Sequence, residues 1–270
     1  MQDLIFKKYQ MKKILILLVS SIWCMSSVAQ KGVKKHKLIW SDEFNYTGLP
    51  DPKKWGYEEG FVRNKEPQYY TNKRLDNAHV ENGILTIEAK KEKYKEADYT
   101  SASLITLGKQ HFKYGRIEVR AKVYKGAGGW PAIWMLGTNR GPVKWPDCGE
   151  IDILEYVGKD STQVYGTVHF ADAGGKYKHE GEKPVVGKPY EDFHVYAIDW
   201  NADRIEFYYD DLKYFVFDLE KADKENENLF RKDFYLLLNL ALGRKGNLGG
   251  PLDDDILPLK YEVDYVRVYR

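Results

Sequence analysis

Apolar and polar residues alternate with a period of two along most of the chain. The alternation is clearest in the segments ILTIEAK (84–90), GRIEVRAKV (115–123), RIEFYYD (204–210) and YEVDYVRVYR (261–270). This period is typical of β-strands with one buried face, because successive side chains of a strand point to opposite sides. We therefore predict a chain built mainly of half-buried strands.

Turn-forming sequences recur between these segments. They are Asn82-Gly83, Gly126-Ala127-Gly128-Gly129, Gly174-Gly175, Asp210-Asp211 and Gly249-Gly250-Pro251. The one segment with helical character, 221–228, is short and charged. Many short strands separated by regular turns predict an all-β sandwich, formed as a single domain over residues 37–270.

The N-terminal segment has a different pattern. Lys12 and Lys13 precede the apolar run ILILLVSSIWCM (14–25), and the small residues Ser27 and Ala29 follow it. A basic region, an apolar run and a small-x-small site predict a secretory signal peptide. We place it at residues 1–29, cleaved after Ala29, with a short tail at 30–36.

This segment indicates a secreted, periplasmic or cell-surface protein. Its apolar run of about twelve residues is too short to predict a membrane span. Lipid attachment to Cys24 is an alternative, but the bulky Trp23 stands where a lipidation site requires a small residue.

Composition limits the possible partners. Residues 1–29 hold four Lys and Asp3, so their removal changes the formal net charge from +2 to −1. The remaining chain has no basic excess that would predict a nucleic-acid partner. Aromatic residues make up 14% of the sequence, with 7 Trp and 21 Tyr, and their flat apolar faces can stack on sugar rings.

Cys148 is the only cysteine after residue 29, so an intrachain disulfide is not expected in the processed chain. It stands beside candidate catalytic acids, where a thiol nucleophile is one interpretation. No Cys–His arrangement is visible in the sequence, which favours a small buried apolar residue.

The segment GEIDILEYVG (149–158) concentrates acidic residues within an apolar strand. In a regular strand, Glu150 and Asp152 share one face, whereas Glu155, at an odd spacing, would point into the apolar layer. Burying a charged Glu there would be costly. One extra residue, a β-bulge near Ile153 and Leu154, would return Glu155 to the face of Glu150.

Three carboxyl groups in one row repel one another, so this arrangement is better explained by chemistry than by stability. A retaining glycosidase needs two carboxyls about 5–5.5 Å apart. We expect backbone positions about 6–7 Å apart for Glu150 and Glu155, from the rise of a strand. A solvated acidic strand edge or a cation site would also explain the acids, but the isoleucines between them disfavour an exposed edge, and calcium loops favour turns over strands.

With these residues the sequence resembles glycoside hydrolase family 16, in the bulged form of laminarinases. The resemblance covers residues 37–270. Supporting segments are LIWSDEFN (38–45), EPQYYT (66–71), YGRIEVRAK (114–122), GWPAIWMLG (129–137), GTVHF (166–170), DFHVYAIDW (192–200), FYLLLNLALG (234–243) and VDYVRVY (263–269). It implies a concanavalin-like jelly roll of two curved antiparallel sheets with a concave substrate cleft.

The resemblance also implies residue roles. Glu150 matches the nucleophile, Asp152 the assisting acid and Glu155 the general acid/base, with no cofactor required for catalysis. The implied substrate-binding residues are Asn64, Glu66, Trp130, Trp134, Trp145 and His169, and Gln68 is a weaker candidate. The alternatives are a core-facing polar role for His169 and sandwich-core positions for Trp130 and Trp134.

A structural calcium ion is a further implication, with Glu43, Gly83 and Asp264 at the matching positions. The alternative is that Asp264 pairs with Arg267 or with a neighbouring strand. Two segments depart from the family pattern. Residues 244–248 (RKGNL) lack a commonly found Trp, and residues 63–67 (RNKEP) differ from the usual Asn-Asn-Glu form.

These features predict a monomeric endo-β-glucanase that hydrolyses β-1,3-glucan of the laminarin type and also accepts mixed-linkage β-1,3/1,4-glucan. A mixed-linkage-specific glucanase, a galactan hydrolase of the agarase type and a transglycosylase remain alternatives, because the bulged triad does not distinguish them. A non-catalytic glycan-binding lectin is disfavoured, since both glutamates are present.

Overall fold

The computed structural model describes residues 37–224 and 227–270. The predicted signal peptide (1–29) and tail (30–36) lie outside the described residues. Within the described part, no helix has the length and apolar character needed to cross a membrane.

The described residues form nineteen strands and three short 3₁₀ helices. The strands are β1 (Leu38–Asp42), β2 (Gly56–Tyr57), β3 (Gln68–Tyr70), β4 (Ala78–Glu81), β5 (Ile84–Tyr94), β6 (Ala97–Ser101), β7 (Ser103–Ile105), β8 (Gly115–Lys122), β9 (Gly129–Gly137), β10 (Glu150–Glu155), β11 (Tyr165–Ala171), β12 (Tyr177–Glu182), β13 (His194–Trp200), β14 (Arg204–Tyr209), β15 (Leu212–Asp218), β16 (Asp223–Lys224), β17 (Glu227–Asn228), β18 (Phe234–Leu242) and β19 (Leu259–Tyr269). The 3₁₀ helices are Gly158–Asp160, Leu219–Ala222 and Asp254–Ile256.

Two large sheets make up the sandwich. The larger has the order β15-β14-β13-β8-β19-β5-β6-β3, with β1 also paired to β19 and β4 to β5. The smaller has the order β12-β11-β10-β9-β18-β7-β2. The pairings are antiparallel except for β3 with β6. The predicted all-β sandwich is confirmed.

The core between the sheets follows the predicted alternation. In β8, Ile117, Val119 and Ala121 are fully buried, and the residues between them are partly exposed. In β9 and β18, by contrast, all nine residues of each strand are buried. One face of these central strands packs in the core, and the other forms the floor of a cleft. A strand that is buried on both faces has a nearly continuous apolar sequence, as GWPAIWMLG of β9 and FYLLLNLAL of β18 have.

The expected helical stretch at 221–228 is wrong. Its described part contains the end of a 3₁₀ helix at Ala222 and the short strand pair β16–β17. The side chain of Asn228 donates to the carbonyl oxygen of Leu219 and to the carboxylate of Asp223. These bonds hold the chain in a tight loop, because Asn side chains compete effectively with helical backbone bonding.

Candidate active site

A β-bulge in β10 sets the position of the acidic residues. Asp152 pairs with Trp134 of β9, but Leu154 pairs with Ile133, the next residue of β9, so Ile153 is the extra residue. The pairing with β11 shifts over the same interval. Ile153 and Leu154 are both buried in the core. The predicted bulge is confirmed, and it returns Glu155 to the cleft face.

The expected spacing of 6–7 Å between the backbones of Glu150 and Glu155 is wrong. Glu150 lies opposite Leu136 and Glu155 opposite Ala132, four positions apart along β9. At the strand rise of about 3.3 Å per residue, this corresponds to roughly 13 Å. Asp152 occupies the middle position, so the two glutamate side chains must lean toward it for their carboxyl groups to act together.

A cleft opens over the smaller sheet at these acids. It is lined by Arg63, Asn64, Glu66, Trp130, Ala132, Trp134, Leu136, Arg140, Trp145, Glu150, Asp152, Glu155, Asn239 and Ala241. Eight of the nine residues predicted for catalysis or substrate binding are among them. The ninth, His169, lies next to the cleft on β11, opposite Glu150.

Burial dominates the electrostatics of the three acids. It raises the pKa of Glu150, Asp152 and Glu155 above their ordinary values, and repulsion from Asp152 raises the pKa of both glutamates further. Desolvation is the larger cause at Glu155, and repulsion from Asp152 is the smaller one. His169 lowers the pKa of both glutamates, and Arg63 lowers that of Glu150 as well.

His169 faces the acids and not the core. Its Nε2 lies 3.0 Å from Asp152 Oδ2 and 3.8 Å from Glu150 Oε1. Its Nδ1 lies 2.9 Å from the hydroxyl of Tyr177 on β12, and the two rings are stacked. The cleft-side prediction for His169 agrees with this placement. Tyr177 was not identified from the sequence, because it lies on an exposed edge strand with no distinctive pattern.

Trp130 and Trp134, four residues apart on β9, both lie on its cleft face. The indole of Trp130 donates to Glu155 Oε1 at 3.1 Å, and the indole of Trp134 donates to Asn239 Oδ1 at 2.7 Å. Both rings are largely buried, so they form the floor beneath the acids. Asn239, on β18, was missed because a single polar residue in an apolar strand does not reveal its partner.

Glu66 is buried in a network of donors. Its carboxylate accepts from Asn64 Nδ2 at 3.1 Å, Gln68 Nε2 at 2.7 Å and the hydroxyl of Tyr70 at 3.2 Å. Gln68 is buried beneath the cleft, where its Oε1 accepts from the backbone N–H of Leu242. Asn64 and Glu66 therefore line the cleft, whereas Gln68 supports them from below.

Arg63 is a cleft residue that the sequence did not single out. Its guanidinium lies 4.7 Å from the ring centroid of Trp134 and forms an ion pair with Glu58. Cations over aromatic faces are attracted by the ring quadrupole. Arg63 therefore packs against Trp134 at the side of the cleft floor, and Glu58 balances its charge.

Trp145 is the exposed aromatic residue of the cleft. Its side chain is 42% exposed, and its ring lies 5.0 Å from that of Tyr177 and 6.1 Å from that of His169. Cys148, nearby in sequence, is fully buried with a free thiol, as predicted, and burial raises its pKa.

The residues predicted for calcium make other contacts. Glu43 forms two hydrogen bonds with Arg267, at 3.0 and 2.8 Å, and Asp264 pairs with Arg120 of the neighbouring strand β8. Both carboxylates are thus balanced by guanidinium groups. Gly83 has a φ of 80° at the Asn-Gly turn, which is typical of glycine. In the described part of the chain, the side chains that could together hold a metal ion are Glu150, Asp152 and His169.

Comparisons with known proteins identify the family of this chain. The model of glycosyl hydrolases family 16 matches residues 65–235. A β-glucanase from Rhodothermus marinus is 42% identical over 97% of this chain and 96% of its own length. The X-ray structure of the laminarinase from Rhodothermus marinus, 44% identical, has a TM-score of 0.80 over 87% of this chain and 97% of its own.

A second solved structure is equally similar. It is a non-specific endo-β-1,3(4)-glucanase, 39% identical, with a TM-score of 0.81 over 88% of this chain and 95% of its own. It holds 1,3-β-D-cellobiosyl-glucose at its active site. These likenesses, with the two antiparallel-rich sheets, confirm the predicted concanavalin-like jelly roll.

The raised pKa of Glu155 makes a prediction about stability. Burial raises this pKa from 4.5 to about 8, so the folded state binds the proton more tightly than the unfolded chain. This difference in proton affinity stabilises the folded state fully at pH values below the pKa that Glu155 has in the unfolded chain. The stabilisation is lost as the pH rises through the pKa that Glu155 has in the folded state. Glu155→Gln, which cannot ionise, should therefore raise the free energy of unfolding at pH 8 by about 1–3 kcal/mol, and by much less near pH 4.

Urea unfolding between pH 4 and pH 8 measures this effect. The matched control is Glu118→Gln, which removes a mostly buried carboxylate that pairs with Arg116 outside the cleft. The control should leave stability unchanged or lower it at pH 8. Equal losses in the two variants at pH 8 would contradict the prediction.

Proposed function

Because the chain belongs to family 16 of the glycosyl hydrolases, we propose that it is a retaining endo-β-glucanase that cleaves laminarin-type β-1,3-glucan and also accepts mixed-linkage β-1,3/1,4-glucan. One observation carries the proposal: the bulge in β10 presents Glu150, Asp152 and Glu155 on one face of an aromatic-floored cleft. The names of the similar proteins support β-glucan as the substrate.

In the first step, a carboxylate oxygen of Glu150 attacks the anomeric carbon, and the bond from this carbon to the glycosidic oxygen breaks. Glu155 donates its proton to the departing oxygen, and a glycosyl ester remains on Glu150. Burial keeps the proton on Glu155, because it raises the pKa of this side chain. The environment of Glu155 thus suits a general acid.

In the second step, a water molecule attacks the anomeric carbon of the ester, and Glu155 accepts its proton. The ester bond breaks and Glu150 returns as a carboxylate. While the ester exists, Glu150 carries no charge, which removes one anion near Glu155 and eases its deprotonation. Two inversions at the same carbon leave the product in the β configuration.

The surroundings of the two glutamates support this division of roles. His169 and Arg63 both lower the pKa of Glu150. The pKa of Glu155 is lowered by His169 and by the indole N–H of Trp130. The charge of Arg63 thus favours the carboxylate form of Glu150, which suits a nucleophile. Asp152, between them, can share a proton with Glu150 and orient it.

Substrate binding is assigned to the sides of the cleft. Asn64 is exposed beside Glu66, where its amide can contact sugar hydroxyls. Trp145 offers an exposed ring for stacking on a sugar, as aromatic faces do in carbohydrate sites. Trp130 and Trp134 form the floor on which the scissile sugars would lie.

The N-terminal residues complete the proposal. We assign residues 1–29 to export, which places the enzyme in the periplasm, at the cell surface or outside the cell, where polysaccharide is accessible. We further propose that the enzyme acts as a monomer, since one chain carries the complete set of acids.

Product analysis tests the proposed activity. Incubation with laminarin, barley mixed-linkage glucan and agarose should give internal cleavage of laminarin first, slower cleavage of the mixed-linkage glucan and none of agarose. Early products followed by NMR before mutarotation should be β anomers. Early α anomers would exclude a retaining mechanism, and preferential cleavage of agarose would assign the enzyme to galactans.

Variants of the two glutamates test their roles. Glu150→Gln should lower kcat by at least about 10⁴-fold while oligosaccharide binding persists, because the nucleophile is lost and the cleft is intact. Glu155→Ala should lose the basic limb of the bell-shaped pH profile, and azide should partly restore its activity on activated aryl glycosides. Azide replaces the attacking water and needs no general base, so products should be β-glycosyl azides. Full activity of Glu155→Ala with an unchanged profile would remove Glu155 from the mechanism.

A structural calcium ion is a separate proposal. Backbone carbonyls at Glu43 and Gly83, with one Asp264 oxygen and waters, would supply the oxygen ligands that calcium prefers. Because Arg120 already balances Asp264, the expected gain in stability is small. Melting in calcium and in EDTA should differ by about 2 °C or more, and Asp264→Ala should abolish the difference.

The control for this experiment is Asp199→Ala. Asp199 is as exposed as Asp264 and also pairs with an arginine, Arg116, across neighbouring strands. The variant should keep the calcium response. Equal melting of the unmodified protein in calcium and in EDTA would count against the ion.

A further inference from the structure

Two carboxylates and an imidazole converge on one point beside the cleft. Each of Glu150, Asp152 and His169 offers one ligand atom, and these three atoms lie within 4.8 Å of one another. They come from adjacent strands, since β10 carries the two acids and β11 carries the histidine. We propose that these three side chains form an inhibitory binding site for a divalent transition-metal ion of the zinc type.

The separations fit such an ion. Zinc binds imidazole nitrogen and carboxylate oxygen at about 2.0–2.2 Å, so two of its ligand atoms lie no more than about 4.2 Å apart. His169 Nε2 is 3.0 Å from Asp152 Oδ2 and 3.8 Å from Glu150 Oε1. Both distances satisfy this limit, and the two carboxylate oxygens lie at most 4.8 Å apart, so a small rotation of one carboxylate brings all three atoms within reach of one ion.

A buried oxygen without a hydrogen bond points to the same place. The side chain of Asp152 is only 5% exposed, and its Oδ2 accepts no hydrogen bond from the described residues. Buried carboxylate oxygens normally have such partners, because desolvation is otherwise costly. This oxygen faces His169 Nε2, and a metal ion between the two atoms would satisfy both.

His169 is held in the orientation that a ligand needs. Its Nδ1 lies 2.9 Å from the hydroxyl oxygen of Tyr177, and the stacked ring of Tyr177 lies 5.9 Å away. When Nδ1 donates its proton to this oxygen, Nε2 presents its lone pair to the two acids. Metal-binding histidines are commonly fixed in this way through their second nitrogen.

The negative charge of the three-residue site and its exposure to the cleft also suit a divalent cation. Glu150 and Asp152 bring two carboxylates together, and the guanidinium of Arg63, which lines the same cleft, is already paired with Glu58. Glu150 and His169 are 17% and 19% exposed, so an ion can reach them from the cleft. Water would complete the coordination of a three-ligand site.

Binding of the ion has a functional consequence that rests on the proposed function. An ion on the carboxylate of Glu150 occupies the atoms that attack the anomeric carbon, so it and the glucan exclude each other. The inhibition is therefore expected to be competitive. The binding itself does not depend on which glycan the enzyme cleaves.

Thermal unfolding of the full chain with zinc chloride, in a buffer that does not chelate metals, tests the binding. Zinc at about 100-fold above its Kd should raise the Tm by about 5 °C, and EDTA should reverse the shift. His169→Ala and Asp152→Asn should each reduce the shift at least several-fold. The second variant keeps the test valid if the first does not fold. A zinc-induced shift that persists in both variants, or its absence in the unmodified protein, would overturn the proposal.

His194→Gln is the matched control. His194 pairs with Asp210 at 2.8 Å on the other sheet and has similar exposure, so this variant should keep both the zinc shift and the activity. On laminarin, zinc should raise KM without changing kcat. Zinc binding without any glycan cleavage would support the metal site and refute the proposed function. Glucan cleavage without zinc binding would support the proposed function and refute the metal site.

Discussion

The arrangement of the cleft depends on one extra residue in β10. A regular strand places every second side chain on the same face, so it cannot hold acids at both Glu150 and Glu155 on one side. The bulge lets Ile153 and Leu154 enter the core in succession, and Glu155 returns to the cleft. Without it, Glu155 would compete with apolar side chains for a core position, at a cost of several kcal/mol. The same local distortion thus completes the core and assembles the acids.

The acids need a rigid floor, because they are buried and repel one another. A chain of hydrogen bonds supplies part of it: Trp134 donates to Asn239, Asn239 to the hydroxyl of Tyr70, and Tyr70 to Glu66. This chain connects β9, β18 and β3, which belong to different sheets. Buried networks of this kind are rigid when every member is satisfied. Trp130 is outside the chain and donates directly to Glu155, so its indole positions that acid.

The sequence was sufficient to predict what depends on local pattern. The period of two predicted the strands, and the odd spacing of Glu155 predicted the bulge, because burial of a charge is costly enough to exclude the regular strand. Features that depend on contacts between residues far apart in the chain could not be predicted from the sequence. The short loop around Asn228 resembled a helix in composition, and the exposed edge residue Tyr177 had no pattern that linked it to His169. The predicted spacing of the glutamates was wrong because about 6–7 Å separates neighbouring positions on one face of a strand. Asp152 stands between Glu150 and Glu155, so they are four positions apart on the partner strand.

Two departures from the family pattern, far apart in sequence, meet in the structure. The side chain of Arg244, in the segment that lacks the usual Trp, donates to the backbone carbonyl of Lys65 at 3.0 Å. Lys65 lies between Asn64, which lines the cleft, and Glu66, which accepts the hydrogen bonds of the floor. The contact is a polar link between the two loops. The acids of β10 lie on the strands beneath and make none of these contacts. The loop at 63–67 lines the cleft and also acts on β10, because the charge of Arg63 lowers the pKa of Glu150.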